Sequence, residues 1–92
     1  MFELTGFQRD LLYCIAGVEE AYGLGIKAEL EEYSGIEINH GRLYPNLDQL
    51  VNKGYLEKSS IDKRTNEYVL TDAGHELLAE RREWEATKLE GT

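Results

Sequence analysis

The sequence predicts an α+β fold, mostly α, in which three short helices, a two-stranded hairpin and a last helix form one domain over residues 1–92. Three observations predict it. Apolar residues recur every three or four positions as far as Val51, the period falls to two between Tyr55 and Leu70, and helical spacing returns after Thr71. A chain of 92 residues is long enough for one hydrophobic core and too short for two domains.

Thr5-Gly6-Phe7-Gln8 has the capping-box pattern, in which the threonine and glutamine side chains satisfy free backbone donors, and predicts a first helix from about Gly6 to Val18. Phe7, Leu11, Cys14, Ile15 and Val18 fall on one stripe, with Gln8, Arg9, Glu19 and Glu20 as polar ground outside it. Tyr22-Gly23-Leu24-Gly25 interrupts the period. Ile26, Leu30 and Tyr33 then mark a second helix ending near Ser34-Gly35, where glycine closes a helix in the left-handed conformation. Ile36 and Ile38 alternate with Glu37, and Asn39 is placed to cap a third helix whose inner face is Leu43, Leu47, Leu50 and Val51 and which Gly54 stops. Because proline lacks a backbone N–H, Pro45 predicts that the regular helix starts close to Gly41 or Arg42, or is distorted there. Leu56, Lys58 and Ser60 alternate with Glu57 and Ser59, Asp62-Lys63-Arg64-Thr65 forms a charged tip, and Glu67-Tyr68-Val69-Leu70 is rich in strand formers. Thr71-Asp72 caps the last helix, with Ala73, Leu77, Leu78, Arg81 and Trp84 at helical spacing and a tail, Glu90-Gly91-Thr92, expected to fray.

Hydrophobic residues at 41% and charged residues at 30% describe a globular chain rather than a disordered one. No stretch approaches the roughly 18 apolar residues of a membrane span, and Met1-Phe2-Glu3-Leu4 lacks the features of a signal peptide, so no membrane partner and a cytoplasmic location are expected. A lone cysteine cannot close an intramolecular disulfide, and Cys14, His40 and His75 lack the spacing of a zinc site, so no metal is expected. Cys14 is expected to be a buried thiol rather than a redox sensor, since it lies on the apolar stripe one turn after Asp10. Neither a nucleophile–base set nor a phosphate-cradling glycine loop is apparent, which argues against an enzyme and against any cofactor.

The net charge of −8 opposes a nucleic-acid partner, yet its distribution favours one. Between Asn39 and Asn66, Arg42, Lys53, Lys58, Lys63 and Arg64 outnumber Asp48, Glu57 and Asp62, a local charge of +2 that leaves −10 for the remainder. Acids elsewhere, such as Glu29, Glu31, Glu32, Glu80 and Glu83, are expected to hold hydrated cations.

Three helices followed by a hairpin is the order of a winged helix, in which the third helix of a helix-turn-helix enters the major groove and the hairpin flanks it. The run Gly41-Arg42-Leu43-Tyr44-Pro45-Asn46-Leu47-Asp48-Gln49-Leu50, then Lys53-Gly54-Tyr55-Leu56, then Arg64 through Tyr68-Val69-Leu70-Thr71-Asp72-Ala73-Gly74, resembles the PadR family of transcriptional regulators. Tyr22-Gly23-Leu24-Gly25-Ile26 looks like that family's entry into its second helix, so the resemblance runs from about residue 5 to 80. It implies a homodimeric winged-helix repressor on operator DNA, with residues 5–70 as helix-turn-helix and wing and 71–90 as a dimerisation helix. The acidic balance looks like that of haloarchaeal or haloarchaeal-virus members. Arg42 stands where the family commonly has a small hydroxyl residue, so its contact is argued from its own chemistry.

On that reading double-stranded DNA meets Asn39, His40, Gly41, Arg42, Tyr44, Asn46, Gln49 and Lys53 of the third helix, and Lys63 and Arg64 of the wing. A guanidinium at the helix's leading edge pairs with guanine or a phosphate; the alternative for Arg42 is a salt bridge to Glu37 or Asp48. Asn46 and Gln49, three apart, share a face with Arg42 and have amides suited to adenine, though an exposed amide is often only solvated. Tyr44 packs under the wing, with or without a hydroxyl contact to phosphate, and His40 offers a charge only at low pH. The dimer contacts expected are Phe7 and Leu11 of a stripe that is core or interface, with Leu77, Leu78, Arg81 and Trp84; Leu77, Leu78 and Trp84 form a stripe the monomer cannot fully cover, the alternative being that Trp84 folds back on the core. The competing reading is a winged helix used for protein–protein interaction without DNA. The residues point to no particular small-molecule effector.

Overall fold

The computed structural model describes residues 3–18 and 21–90; the expected polar ground at Glu19 and Glu20 and the expected fraying at Gly91 and Thr92 lie outside these. The order is α1 (Gly6–Ala16), α2 (Gly23–Ser34), α3 (His40–Asn52), β1 (Leu56–Ser60), β2 (Asn66–Leu70) and α4 (Asp72–Leu89). α1 opens with the complete capping box between Thr5 and Gln8 and stops at Ala16, two residues before the expected end at Val18, with Gly17 as its C-cap. α2 starts at Gly23, within the glycine run expected to lie outside it, and closes on Gly35 at φ 71°. Asn39 caps α3 by accepting from the Arg42 N–H at 2.9 Å. α3 therefore begins at His40, one residue earlier than Pro45 suggested, and carries that proline within it at the cost of the N–H that would bond the Gly41 carbonyl.

β1 and β2 pair antiparallel with Leu56 opposite Leu70 and Ser60 opposite Asn66. A third segment joins them: the Ala21 carbonyl accepts from the Tyr68 N–H at 2.9 Å, and Tyr22 bridges Glu67. This ties the α1–α2 connection to the base of the hairpin. Thr71 caps α4, and Gly74 lets its first turn lie against the Tyr55 carbonyl and the Leu70 side chain, where a Cβ would collide.

One core runs through all elements, with Leu11, Leu12, Ile26, Leu43, Leu47, Leu50, Leu56 and Tyr68 fully buried. Expectations change at six residues. Leu12, outside the predicted stripe, is in the core, and so is Gln8, while Cys14 and Val18 are only half-buried. Tyr33 and Ala73, predicted on apolar stripes, are exposed. Among the described residues no helix is long and apolar enough to cross a membrane.

Candidate nucleic-acid interface

α3 buries Leu43, Leu47 and Leu50, so its opposite side presents Gly41, Pro45, Asp48 and Asn52 to solvent. Of the residues expected to contact DNA, Gly41 lies on this outer face and five others lie on its two flanks. Arg42, Asn46 and Gln49 line the flank toward α1; His40 and Tyr44 line the flank toward α2 and the wing.

Arg42 is exposed and pairs with neither Glu37 nor Asp48; its guanidinium lies 3.9 Å above the centre of the Phe7 ring. A cation–π contact engages the ring without using the guanidinium's N–H donors, which stay available to an oxygen outside the protein. Asp48 is paired instead with Lys58 of β1 at 3.4 Å, a bridge from the outer face of α3 to the wing that periodicity and spacing do not predict. Lys58 thereby offsets the single carboxylate on the outward side of the helix.

Asn46 and Gln49 are not the free amides expected. Gln8 Nε2 donates to Asn46 Oδ1 at 3.0 Å and to Gln49 Oε1 at 2.8 Å, and Asn46 Nδ2 donates to the Arg42 carbonyl at 2.7 Å. Asn46 is accordingly half-buried and bound at both ends, while Gln49 stays exposed. Lys53, expected to meet DNA, is the C-cap of α3, at the opposite end from Arg42, and its ammonium donates to the Glu3 carbonyl at 3.3 Å. Beside it Tyr55 donates to Glu3 Oε1 at 3.0 Å, so this end of α3 is tied to the segment before α1.

Tyr44 is half-buried, its ring edge-on to His40 at 5.6 Å and so close to Gly23 that any side chain there would collide with the phenol. It lines a groove of about 310 Å³ with Gly25, Arg64 and Thr65, which joins the start of α2 to the wing tip. The tip is shaped by Asp62, whose carboxylate accepts from the Arg64 N–H at 2.8 Å and the Thr65 N–H at 2.9 Å. The hydrogen bond from the Arg64 amide holds the Asp62 carboxyl below its usual pKa. Lys63 and Arg64 are thereby displayed in solvent on a fixed turn. Beneath the junction of α3 and wing, the Tyr68 hydroxyl is buried with no partner among the described residues; burial, then the charge of Asp48, raises its pKa.

Of the expected dimer contacts, Leu11, Leu77 and Leu78 are spent on the chain's own core. Phe7 is half-buried under Arg42. Arg81 stacks on Trp84 with its guanidinium carbon 4.6 Å from the ring centre, Lys88 approaches the same ring at 5.6 Å, and Trp84 remains 50% exposed. From Arg82 to Leu89 every residue of α4 is exposed. The apolar stripe the monomer cannot cover thus shrinks to Trp84, and Leu89 at 70% exposure joins it.

Residues 11–80 match the profile of the Transcriptional regulator PadR-like family. The chain belongs to that family. This PadR-like chain is 54% identical to RosR of H. salinarum, whose structure it matches with a TM-score of 0.93 over 98% of its own length and 81% of RosR's. A structure described as a complex of hsRosR gives the same identity and TM-score over 99% of this chain and 80% of that one. At 24% identity and a TM-score of 0.76, a PadR-like transcription factor from Bacteroides fragilis, covered over 82% of its length by 89% of this chain, shares the fold. No curated protein matches the chain. The likeness to RosR fits the haloarchaeal resemblance read from the acidic composition.

Proposed function

We propose that this PadR-like regulator acts in the cytoplasm as a homodimeric repressor that binds a palindromic operator, with α3 in the major groove and the wing on the flanking backbone. The observation that carries the reading is the placement of free cations: in a chain of net charge −8, Arg42 on Phe7 and Lys63 and Arg64 on the Asp62 turn all lie along the α3–wing side with their donors unspent. The contacts are assigned to Asn39, His40, Gly41, Arg42, Tyr44 and Gln49 of the helix region and to Lys63 and Arg64 of the wing, with Arg42 reading guanine or clamping a phosphate. The uncovered second half of α4, with Trp84 and Leu89, supports dimerisation through that helix. A two-fold axis then requires half-sites about 34 Å apart, or a multiple of that. The match to the PadR-like regulator family, with 54% identity to hsRosR, supports a regulatory role.

The competing use, as a protein-interaction module, is favoured by the acidic charge and by Asp48 on the outer face of α3. Selection of bound sequences from a random duplex pool separates the two. A recovered palindrome supports the regulator; recovery of no sequence at any salt concentration supports the interaction module.

A further inference from the structure

The direction of every amide in the Gln8–Asn46–Gln49 cluster follows from two backbone groups that cannot reverse roles. The Thr5 N–H can only donate, and it donates to Gln8 Oε1 at 3.3 Å, so the NH2 end of Gln8 must face α3. The groups receiving it from α3 must then be carbonyls, and they are: Asn46 Oδ1 and Gln49 Oε1. The Arg42 carbonyl can only accept, and it takes the Asn46 NH2, which is consistent with that orientation. Gln8 itself is 3% exposed and Gln49 is exposed. Among the described residues the Gln49 NH2 has no partner, while its carbonyl is engaged.

We propose that Gln8 is a positioning residue that sets the base preference of Gln49, by holding its carbonyl inward so that α3 offers the duplex a hydrogen-bond donor alone. A free glutamine reads adenine with a donor and an acceptor together, at N7 and N6. Gln49 has only the donor left, which suits a base with acceptors alone in the major groove: guanine O6 and N7, or thymine O4. The capping box of α1 thus contributes to sequence choice from 41 positions away in the chain. The inference rests on the proposed reading of DNA by α3.

Gln8→Glu tests it without removing the cap, because glutamate is itself a capping-box residue and still accepts from the Thr5 N–H. Its second oxygen also accepts, so the bond to Asn46 Oδ1 is lost and Gln49 turns its NH2 inward and presents its carbonyl outward. Gln8→Met removes both polar ends at similar size and frees the amide to read adenine; it keeps the proposal testable if the glutamate variant does not fold, as thermal unfolding will show. All are compared with wild type and Gln49→Ala by selection from a random duplex pool. Wild type is expected to prefer guanine or thymine at the base whose identity ceases to matter in Gln49→Ala. Gln8→Glu should shift that one position toward cytosine or adenine by about tenfold, and Gln8→Met should admit adenine there. A wild-type preference for adenine at that base, or a Gln8→Glu protein that binds all sequences more weakly with preferences unchanged, would overturn the proposal. Wild-type selection of a palindrome in which Gln49→Ala alters no position would overturn it at a different point, by removing Gln49 from the bases, and selection of no sequence would remove the DNA-binding reading beneath it.

Discussion

A guanidinium held over the Phe7 ring has a preferred position before any ligand arrives, so less entropy is spent when it meets DNA. Arg42→Ala is expected to weaken operator binding by about 1–3 kcal/mol and to relax the preference at one base pair. Lys63→Ala, on the wing, should weaken all sequences alike; anisotropy titrations against the selected duplex and a scrambled one distinguish these outcomes. If both variants bind as wild type does, the reading face has been misassigned. Cys14, by contrast, is a side chain kept unreactive. Burial, then the charges of Glu29 and Asp10, push its thiol up from an ordinary 9.0 to about 11. At neutral pH it should alkylate with iodoacetamide much more slowly than an unfolded chain does. Because the folded state holds this proton more tightly, its contribution to stability is whole below pH 9.0 and is lost as pH rises to about 11, which unfolding curves along that alkaline series would reveal.

At the scale of elements, the wing tip depends on one exposed carboxylate accepting two backbone N–H groups. Its pKa lies below the usual aspartate value, so the turn is intact above that value and loosens as pH falls through the lowered one. Asp62→Ala should reproduce the acid effect at neutral pH, raising hydrogen exchange at Arg64 and Thr65 and weakening DNA binding while leaving the melting temperature nearly unchanged. A variant with wild-type exchange at those amides would show that the turn holds without the carboxylate. The inner face of α3 behaves differently. Leu47 is fully buried between α3 and the rest of the core, and Leu47→Ala should cost about 2–5 kcal/mol in urea unfolding because a cavity remains. The connection between α2 and α3 is held by Glu31, which accepts from the Ile38 N–H at 2.8 Å and from Lys27 at 3.0 Å. A carboxylate oxygen with two donors makes Glu31 a structural clamp between α2 and α3.

At the scale of the whole molecule, every residue of α4 from Arg82 to Leu89 is exposed, and a tryptophan half in water is flanked there by Arg81 and Lys88. A homodimer is expected, and Trp84→Glu should convert it to monomer; a monomeric mass for wild type by sedimentation at micromolar concentration would contradict the assignment. Charge sets a second expectation. An ordinary DNA-binding protein loses affinity with a slope of about −0.9 per phosphate neutralised as salt rises, because counterions are released. A body of charge −8 also repels the duplex, and that repulsion fades as the screening length falls from ~30 Å at ~0.01 M salt to ~3 Å at ~1 M. The salt dependence of operator affinity should therefore be shallow or inverted between ~0.1 and ~2 M potassium chloride, a range over which screening becomes short, and thermal stability should rise over the same range. A steep loss of affinity with salt-independent unfolding would mean that the acidic charge has no such role.

The sequence by itself determined the order of elements and most of their ends, because those rest on local chemistry: a threonine and glutamine three apart, an asparagine before a helix, Gly35 at positive φ, and a change of period from helix to strand. It also placed Arg42, Lys63 and Arg64 in solvent on the correct elements. Only the tertiary structure decided which polar residues are spent. Gln8 read as surface because it falls outside the apolar stripe, yet it is buried where α1 meets α3, with partners 38 and 41 positions away. Lys53 read as a DNA contact and is bound to Glu3, 50 positions before it. Leu77 and Leu78 read, with Trp84, as a stripe awaiting a partner, and packing of α4 on the hairpin and α1 covers the two leucines. Periodicity reports which side of an element is apolar; a hydrogen bond between distant side chains leaves no trace in it, and burial depends on how the elements meet.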